Sequence, residues 1–161
     1  GGSLRVYGCH DEATIKTDKS VSDQINKEIK AGLQEIDSYK DFQQVCEKIK
    51  ISFIEFLLEA KKANKRVIGY GAAAKGSTLL NYSGVKSDLI EYVCDGAEFK
   101  QEKFMPGSHI PIKHPSLLEN DKPDYIIIFP WNIADEISSL LKDKTDKGSK
   151  LVTFIPELKI W

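Results

Sequence analysis

The stretch that decides the fold is Arg66–Asn81, which reads RVIGYGAAAKGSTLLN. A short apolar run, Val67-Ile68, leads into a turn of glycines and alanines, and Ser77 and Thr78 then open a helical segment. Strand, small-residue turn and helix in this order are typical of a phosphate-binding turn in an open α/β sheet. The free N–H groups at the start of such a helix, with the positive end of the helix dipole behind them, face an anion.

Two named motifs can be compared with this turn. Three small residues have the spacing of the dinucleotide fingerprint G-x-G-x-x-G/A: Gly69, Gly71 and Ala74. Asp95 closes the next apolar run, roughly where the fingerprint places an acid for a ribose hydroxyl. The P-loop pattern fails, because Lys75 precedes Gly76 instead of following it, and this excludes a P-loop NTPase. A turn that binds nothing and only lets helix and strand pack remains an alternative.

Size and composition place the chain among ordinary folded domains. It has 161 residues, 41% of them hydrophobic, and a formal net charge of −1. This balance favours neither a nucleic-acid nor a membrane partner, and no apolar run reaches the roughly 18 residues of a membrane span. Three widely spaced cysteines lack the spacing of a metal site: Cys9, Cys46 and Cys94. We expect no metal in this chain, buried free thiols at the last two positions and a cytoplasmic location.

The N-terminal part of the chain predicts a strand and two helices. Leu4–Cys9 is typical of a short strand without a partner, and a polar linker follows it. A first helix is predicted from Ser20 or Ser22, with an apolar face of four residues: Ile25, Ile29, Leu33 and Ile36. A second, long helix is predicted from Ser38 or Asp41 to Asn64, with an apolar stripe that would pack across the following sheet.

From Arg66 onward, strands and helices alternate. Four strands are predicted: Val67–Tyr70, Leu89–Cys94, Tyr125–Phe129 and Leu151–Ile155. Helical segments are predicted at Ser77–Tyr82, at Pro115–Leu118 and after Trp131-Asn132, with Gly84 as a helix stop. This alternation predicts a mostly parallel sheet in the order second, first, third, fourth. Ligands of such sheets bind at the carboxyl ends of the strands, where the strand order reverses.

That position collects the candidate binding residues: Gly71, Ala72, Ala73, Ala74, Lys75, Gly76, Asp95, His109, Trp131 and Asn132. Lys75 is suited to a phosphate, Asn132 to a ribose, sugar or base, and Trp131 to stacking. Each also has a plainer interpretation: Lys75 as a surface lysine, Asn132 as a helix cap and Trp131 as a cover for the end of the sheet. His109, in a loop stiffened by prolines, suits a ligand hydrogen bond or an acid–base role, and its plainer interpretation is a bond to a backbone carbonyl.

A catalytic set is not predicted. The chain has three histidines, and no nucleophile, base and orienting group stand together in the sequence. From the residues alone, this is a binding domain rather than a catalytic one.

Three stretches resemble one family of enzymes. They are GYGAAAKGSTLLNYSGV (69–85), IEYVCDGAEFKQEKFMPGSHIPI (90–112) and PDYIIIFPWNIADEI (123–137). In this order they resemble the C-terminal domain of SAM-dependent sugar C-methyltransferases, bacterial enzymes that methylate a carbon of a nucleotide-linked deoxy-keto-sugar. The resemblance covers most of the chain from Leu4 to Pro156.

The resemblance implies an α/β, Rossmann-like three-layer sandwich, with a mostly parallel sheet of about four strands preceded by two helices. It also implies that residues 1–20 are the last strand and linker of an upstream methyltransferase domain. Residues 21–161 are then the C-terminal domain, with helices in 21–64 and the sheet unit in 66–161.

The resemblance further implies a fragment that helps to hold a nucleotide-diphosphate sugar and is inactive alone. The SAM site, the zinc cysteines and the acid–base residues of the family are expected in the upstream domain of the same chain. Two other interpretations remain open: a free-standing NAD(P)- or nucleotide-binding module with Asp95 on the ribose, and a purely structural domain.

Overall fold

The computed structural model describes residues 4–161, and these divide into two compact units. One comprises the described residues up to Val45, and the other is Cys46–Trp161. The helices are α1 Lys19–Lys30, α2 Phe42–Lys62, α3 Ala74–Ser83, α4 Ala134–Leu140 and α5 Lys142–Thr145. The strands are β1 Val67–Tyr70, β2 Val93–Cys94, β3 Ile112–Lys113, β4 Tyr125–Ile128, β5 Lys150–Thr153 and β6 Lys159–Ile160.

The first helix is shorter than its apolar pattern predicts. The carboxylate of Asp18 caps α1 by accepting a hydrogen bond from the backbone N–H of Ser20 at 2.8 Å. The chain then turns at Gly32, which has a φ of +74°, a conformation that glycine adopts without steric cost. Leu33 and Ile36 therefore lie beyond the helix, and the prediction that they continue its apolar face is wrong.

Three other boundaries differ from the predictions. Residues 4–10 contain no strand, so the strand predicted at Leu4–Cys9 is not formed. The strand predicted at Leu89–Cys94 is reduced to Val93–Cys94, because residues 87–89 form a turn. Helix α3 begins at Ala74 instead of Ser77, which places the end of the small-residue turn in the first turn of the helix.

The second unit is built on a six-stranded, mostly parallel sheet in the order β3-β2-β1-β4-β5-β6. The predicted order of the four main strands is confirmed, and so is the reversal of strand order between β1 and β4. Two short strands extend the sheet beyond the prediction. Strand β3 pairs in parallel with β2 at one edge, and β6 pairs antiparallel with β5 at the other.

Both faces of the sheet are covered by apolar side chains. On one face, α2 and α3 pack through a cluster that includes Phe53, Leu57 and Leu80. The rings of Phe53 and Phe154 are 4.6 Å apart between centroids. The predicted packing of the α2 stripe across the sheet is therefore confirmed. The opposite face contributes a second cluster, to which α4 adds Ile137.

Charged groups hold the starts of the central strands together. The guanidinium of Arg66, just before β1, donates to the carboxylates of Glu91 and Asp121. The hydroxyl of Tyr92 also donates to Asp121. These hydrogen bonds, led by those from Arg66, hold the pKa of Asp121 below its usual range. The cluster therefore fixes the amino ends of the strands, on the edge of the sheet opposite the predicted ligand site.

Candidate functional site

The turn after β1 needs glycine at its centre for two reasons. Gly71 has a φ of +85°, and its N–H donates to the carbonyl oxygen of Cys94 at 2.7 Å. A Cβ at this position would lie 2.4 Å from Cγ of Pro130, in the segment after β4. Both the backbone conformation and the close approach of β1 and β4 thus exclude a side chain here.

The neighbouring glycines allow α3 to lie close to the sheet. A Cβ on Gly69 would lie 2.5 Å from Cε2 of Phe129, and a Cβ on Gly76 would lie 2.7 Å from Cβ of the same residue. The side chain of Phe129 is fully buried. The small residues therefore have a packing role, whether or not the turn also binds a ligand.

The start of α3 presents unpaired backbone donors. The N-cap is Ala73, whose side chain cannot accept a hydrogen bond. Within residues 4–161, the N–H groups of Ala74, Lys75 and Gly76 have no hydrogen-bond acceptor, and the first helical bond runs from Ser77 to Ala73. These three donors and the positive end of the helix dipole form an anion-binding end at the carboxyl edge of the sheet.

Lys75 joins this helix start to the segment after β4. Its ammonium group donates to the side-chain oxygen of Asn132 and lies 5.1 Å from the ring centroid of Trp131. The structure thus brings together three predicted site residues that come from two different connections. Lys75 is half-buried, and its ammonium group lies against an aromatic face at the same edge of the sheet as the unpaired N–H groups.

Asp95 has structural partners on both of its oxygens. One oxygen accepts from the N–H of Ala72 at 2.7 Å and from the ammonium of Lys100 at 3.1 Å. The other accepts from the N–H of Ala97 at 2.8 Å. Lys100 also donates to the carbonyl oxygen of Ala72 at 3.0 Å. Asp95 and Lys100 therefore clamp the turn after β1 to the segment after β2.

His109 lies in a loop that is anchored to the far end of α3 and to Lys86 beyond it. The side-chain amide of Asn81 donates to the carbonyl of Pro106 at 2.8 Å, and the ammonium of Lys86 donates to that of Gly107 at 2.6 Å. Asn81 is six residues beyond Lys75, or about 9 Å along the helix. His109 itself is exposed, with a φ of +58°. Its contact with a ligand stays a prediction.

A groove on the α4 face reaches Tyr70, the residue just before this turn. The groove has a volume of about 370 Å³ and is lined by residues that include Tyr70, His114, Leu118 and Lys144. Among residues 4–161, no three His, Cys, Asp or Glu side chains are grouped so that they could hold a metal ion. None of the described helices has the length and apolarity of a membrane-spanning segment.

The cysteines do not supply a nucleophile at this edge of the sheet. All three are free thiols, and Cys94, beside Asp95, is fully buried as predicted. Burial raises the pKa of its thiol to about 12, so the thiol stays protonated at neutral pH. Cys46 is only half-buried.

Sequence reasoning missed Lys100 and its neighbour Phe99. Phe99 and Lys100 lie in a short 3-10 turn, Glu98–Lys100, inside a connection without helical or strand periodicity. The only signal available was their position just after Asp95, at the carboxyl end of a predicted strand.

Comparison with known proteins identifies the family of this chain. The family model of the C-methyltransferase C-terminal domain matches residues 1–156. The chain is also similar to the C-methyltransferase NovU of Streptomyces niveus, with 31% identity over 160 residues. That match covers 99% of this chain and 38% of NovU. The chain therefore belongs to the C-methyltransferase C-terminal domain family.

Proposed function

We propose that this domain binds the diphosphate of a nucleotide-sugar at the start of α3. It would thereby hold the substrate of a SAM-dependent C-methyltransferase that acts on an NDP-linked deoxy-keto-sugar. One observation carries the proposal: unpaired N–H groups and the ammonium of Lys75 share the carboxyl edge of the sheet at the reversal of strand order. The ligand would then bind at the same place on the sheet as in Rossmann-like domains.

The surroundings of Lys75 suit a ligand that carries both phosphate and sugar. The ammonium has a neutral partner, the amide oxygen of Asn132, and no carboxylate partner within the described residues. A phosphate can therefore pair with it without displacing an internal ion pair. The exposed amide of Asn132 and the half-buried ring of Trp131 offer a hydrogen bond and a flat apolar face to the attached sugar.

The partners of Asp95 favour this proposal over an NAD-binding module. In the dinucleotide fingerprint, the acid at the end of the second strand accepts hydrogen bonds from a ribose. Here Asp95 is 8% exposed, and its carboxylate already accepts from two backbone N–H groups and from Lys100. The ribose 2′-hydroxyl of NAD would have to compete with these internal donors, whereas the deoxyribose of dTDP has no hydroxyl at that position.

The rest of the activity is proposed for a longer protein. The chain spans 38% of the length of NovU, which is named as a C-methyltransferase. We place the SAM site and the zinc in an upstream methyltransferase domain, and we expect the 161-residue chain to be inactive alone.

Isothermal titration of the 161-residue chain with dTDP, a dTDP-sugar, NAD and SAM tests the proposal. We expect binding of the dTDP compounds alone, weakened about 10-fold or more in Lys75→Met by the loss of a charged hydrogen bond. Lys62→Met is the matched control, because Lys62 is exposed at the end of α2, on the opposite edge of the sheet. Binding of NAD alone, or equal dTDP binding by both variants, would contradict the proposal.

A further inference from the structure

Phe99 is an aromatic side chain that the fold leaves in water. It is 72% exposed, although the second unit has a large apolar core in which a phenylalanine would be buried favourably. Its neighbour Lys100 reaches back toward the sheet, to Asp95 and to the carbonyl oxygen of Ala72. The face of this ring is therefore accessible to a ligand.

The backbone that carries Phe99 is firmly held. Three hydrogen bonds to Asp95 anchor the turn on both sides: from the Ala97 N–H at 2.8 Å, from the Lys100 ammonium at 3.1 Å, and from the Gln101 amide to the Asp95 carbonyl at 2.9 Å. An exposed ring on an anchored backbone is preorganised to receive a ligand, because little backbone entropy is lost on binding.

Phe99 is also linked to the proposed diphosphate site. The ammonium of Lys100 lies 5.7 Å from the centroid of the Phe99 ring and 3.0 Å from the carbonyl oxygen of Ala72, in the turn after β1. On the other side of the same turn, Lys75 lies over Trp131. Each flank of the turn thus has one lysine beside one aromatic ring: Lys100 with Phe99 after β2, and Lys75 of α3 with Trp131 after β4.

We propose that Phe99 is the platform on which the nucleobase of the ligand stacks. In doubly wound sheets, a nucleotide whose phosphates lie at the first helix places its nucleoside over the second strand. Here the segment after β2 carries Phe99, so the base lies on that side and the sugar extends toward Trp131 and Asn132. This assignment rests on the proposed function, because it takes the diphosphate site at α3 as given.

Titration of the 161-residue chain with dTDP and with inorganic pyrophosphate separates the base from the phosphates. We expect Phe99→Ala and Phe99→Leu to weaken dTDP binding by about 10-fold and to leave pyrophosphate binding unchanged. Phe99→Tyr, which keeps the aromatic face, should bind dTDP like the wild type. In NMR spectra of the complex, the protons of the base should shift upfield with the wild type and not with Phe99→Leu.

Phe104→Ala is the matched control. Phe104 is 61% exposed on the same connection, but it forms an isolated β-bridge with Pro111 and lies outside the Glu98–Lys100 turn. It should bind both ligands like the wild type. Unchanged dTDP binding by Phe99→Ala, or equal losses for dTDP and pyrophosphate, would overturn the stacking assignment alone. A wild-type chain that binds neither ligand would overturn the proposed function and this assignment with it.

Discussion

The substitution Gly76→Ala tests how closely α3 lies on the sheet, because it adds one methyl group at their contact. A Cβ there would stand 2.7 Å from Cβ and 2.8 Å from Cγ of Phe129, which is fully buried at the end of β4. Alanine in a helix is normally more stable than glycine by about 1 kcal/mol. Overpacking a core costs about 1–3 kcal/mol, and contacts this short against a buried residue belong at the upper end. We therefore expect Gly76→Ala to lower the free energy of unfolding by about 2 kcal/mol.

Urea unfolding followed by circular dichroism measures this loss, and the thermal midpoint should fall by about 4–8 °C. Gly96→Ala is the control, because a Cβ at Gly96 meets no atom within 4 Å, and its free energy should change by less than about 0.5 kcal/mol. The double variant Gly76→Ala with Phe129→Leu should lose less free energy of unfolding than the sum of the losses in the two single variants. If Gly76→Ala were as stable as the wild type, the close approach would not be what requires glycine.

Three further predictions concern other parts of the sheet unit. Asp121→Asn should lower stability at neutral pH by about 1–2 kcal/mol. Because Arg66 holds the pKa of Asp121 low, the wild type should lose stability as pH falls below about 4, and urea midpoints measured across that range should fall less in the variant. In the native protein, iodoacetamide should label the exposed Cys9 and leave the buried Cys94 unmodified, as read by mass spectrometry. Asp95→Asn should cost about 1–3 kcal/mol and speed hydrogen exchange in the turn after β1.

The main strands were predictable because their residues carry strong local signals. The continuous apolar run Tyr125–Phe129 indicates a strand buried on both faces, and β4 is found there. Gly84 ends α3 in the left-handed conformation, with a φ of +70°, as its position after the helix predicts. The strand order then followed from connection lengths and handedness.

The missed elements have no periodicity to detect. β3 and β6 have two residues each, too few to show alternation, and they form only because a neighbouring strand offers backbone partners. The start of α3 was placed too late because Ala73 offers no capping side chain, whereas Ser77 resembles a cap.

For the candidate site, sequence reasoning could place residues at the same edge but could not give their contacts. Lys75 and Asn132 are 57 residues apart, yet both follow adjacent parallel strands, so their meeting follows from the topology. The contact of Lys100 with Ala72 depends on the path of an irregular connection, which no local pattern specifies.

Strand β6 covers the outer edge of β5. The N–H of Leu151 donates to the carbonyl of Trp161 at 2.9 Å, and the N–H of Trp161 donates back at 3.1 Å. Leu151 and Val152 are fully buried, so β5 without this cover would be an apolar strand with free backbone donors and acceptors. Such a strand is a template for intermolecular pairing and aggregation. A shortened version that lacks residues 157–161 should therefore lose solubility on expression, even though the proposed ligand site lies on other strands.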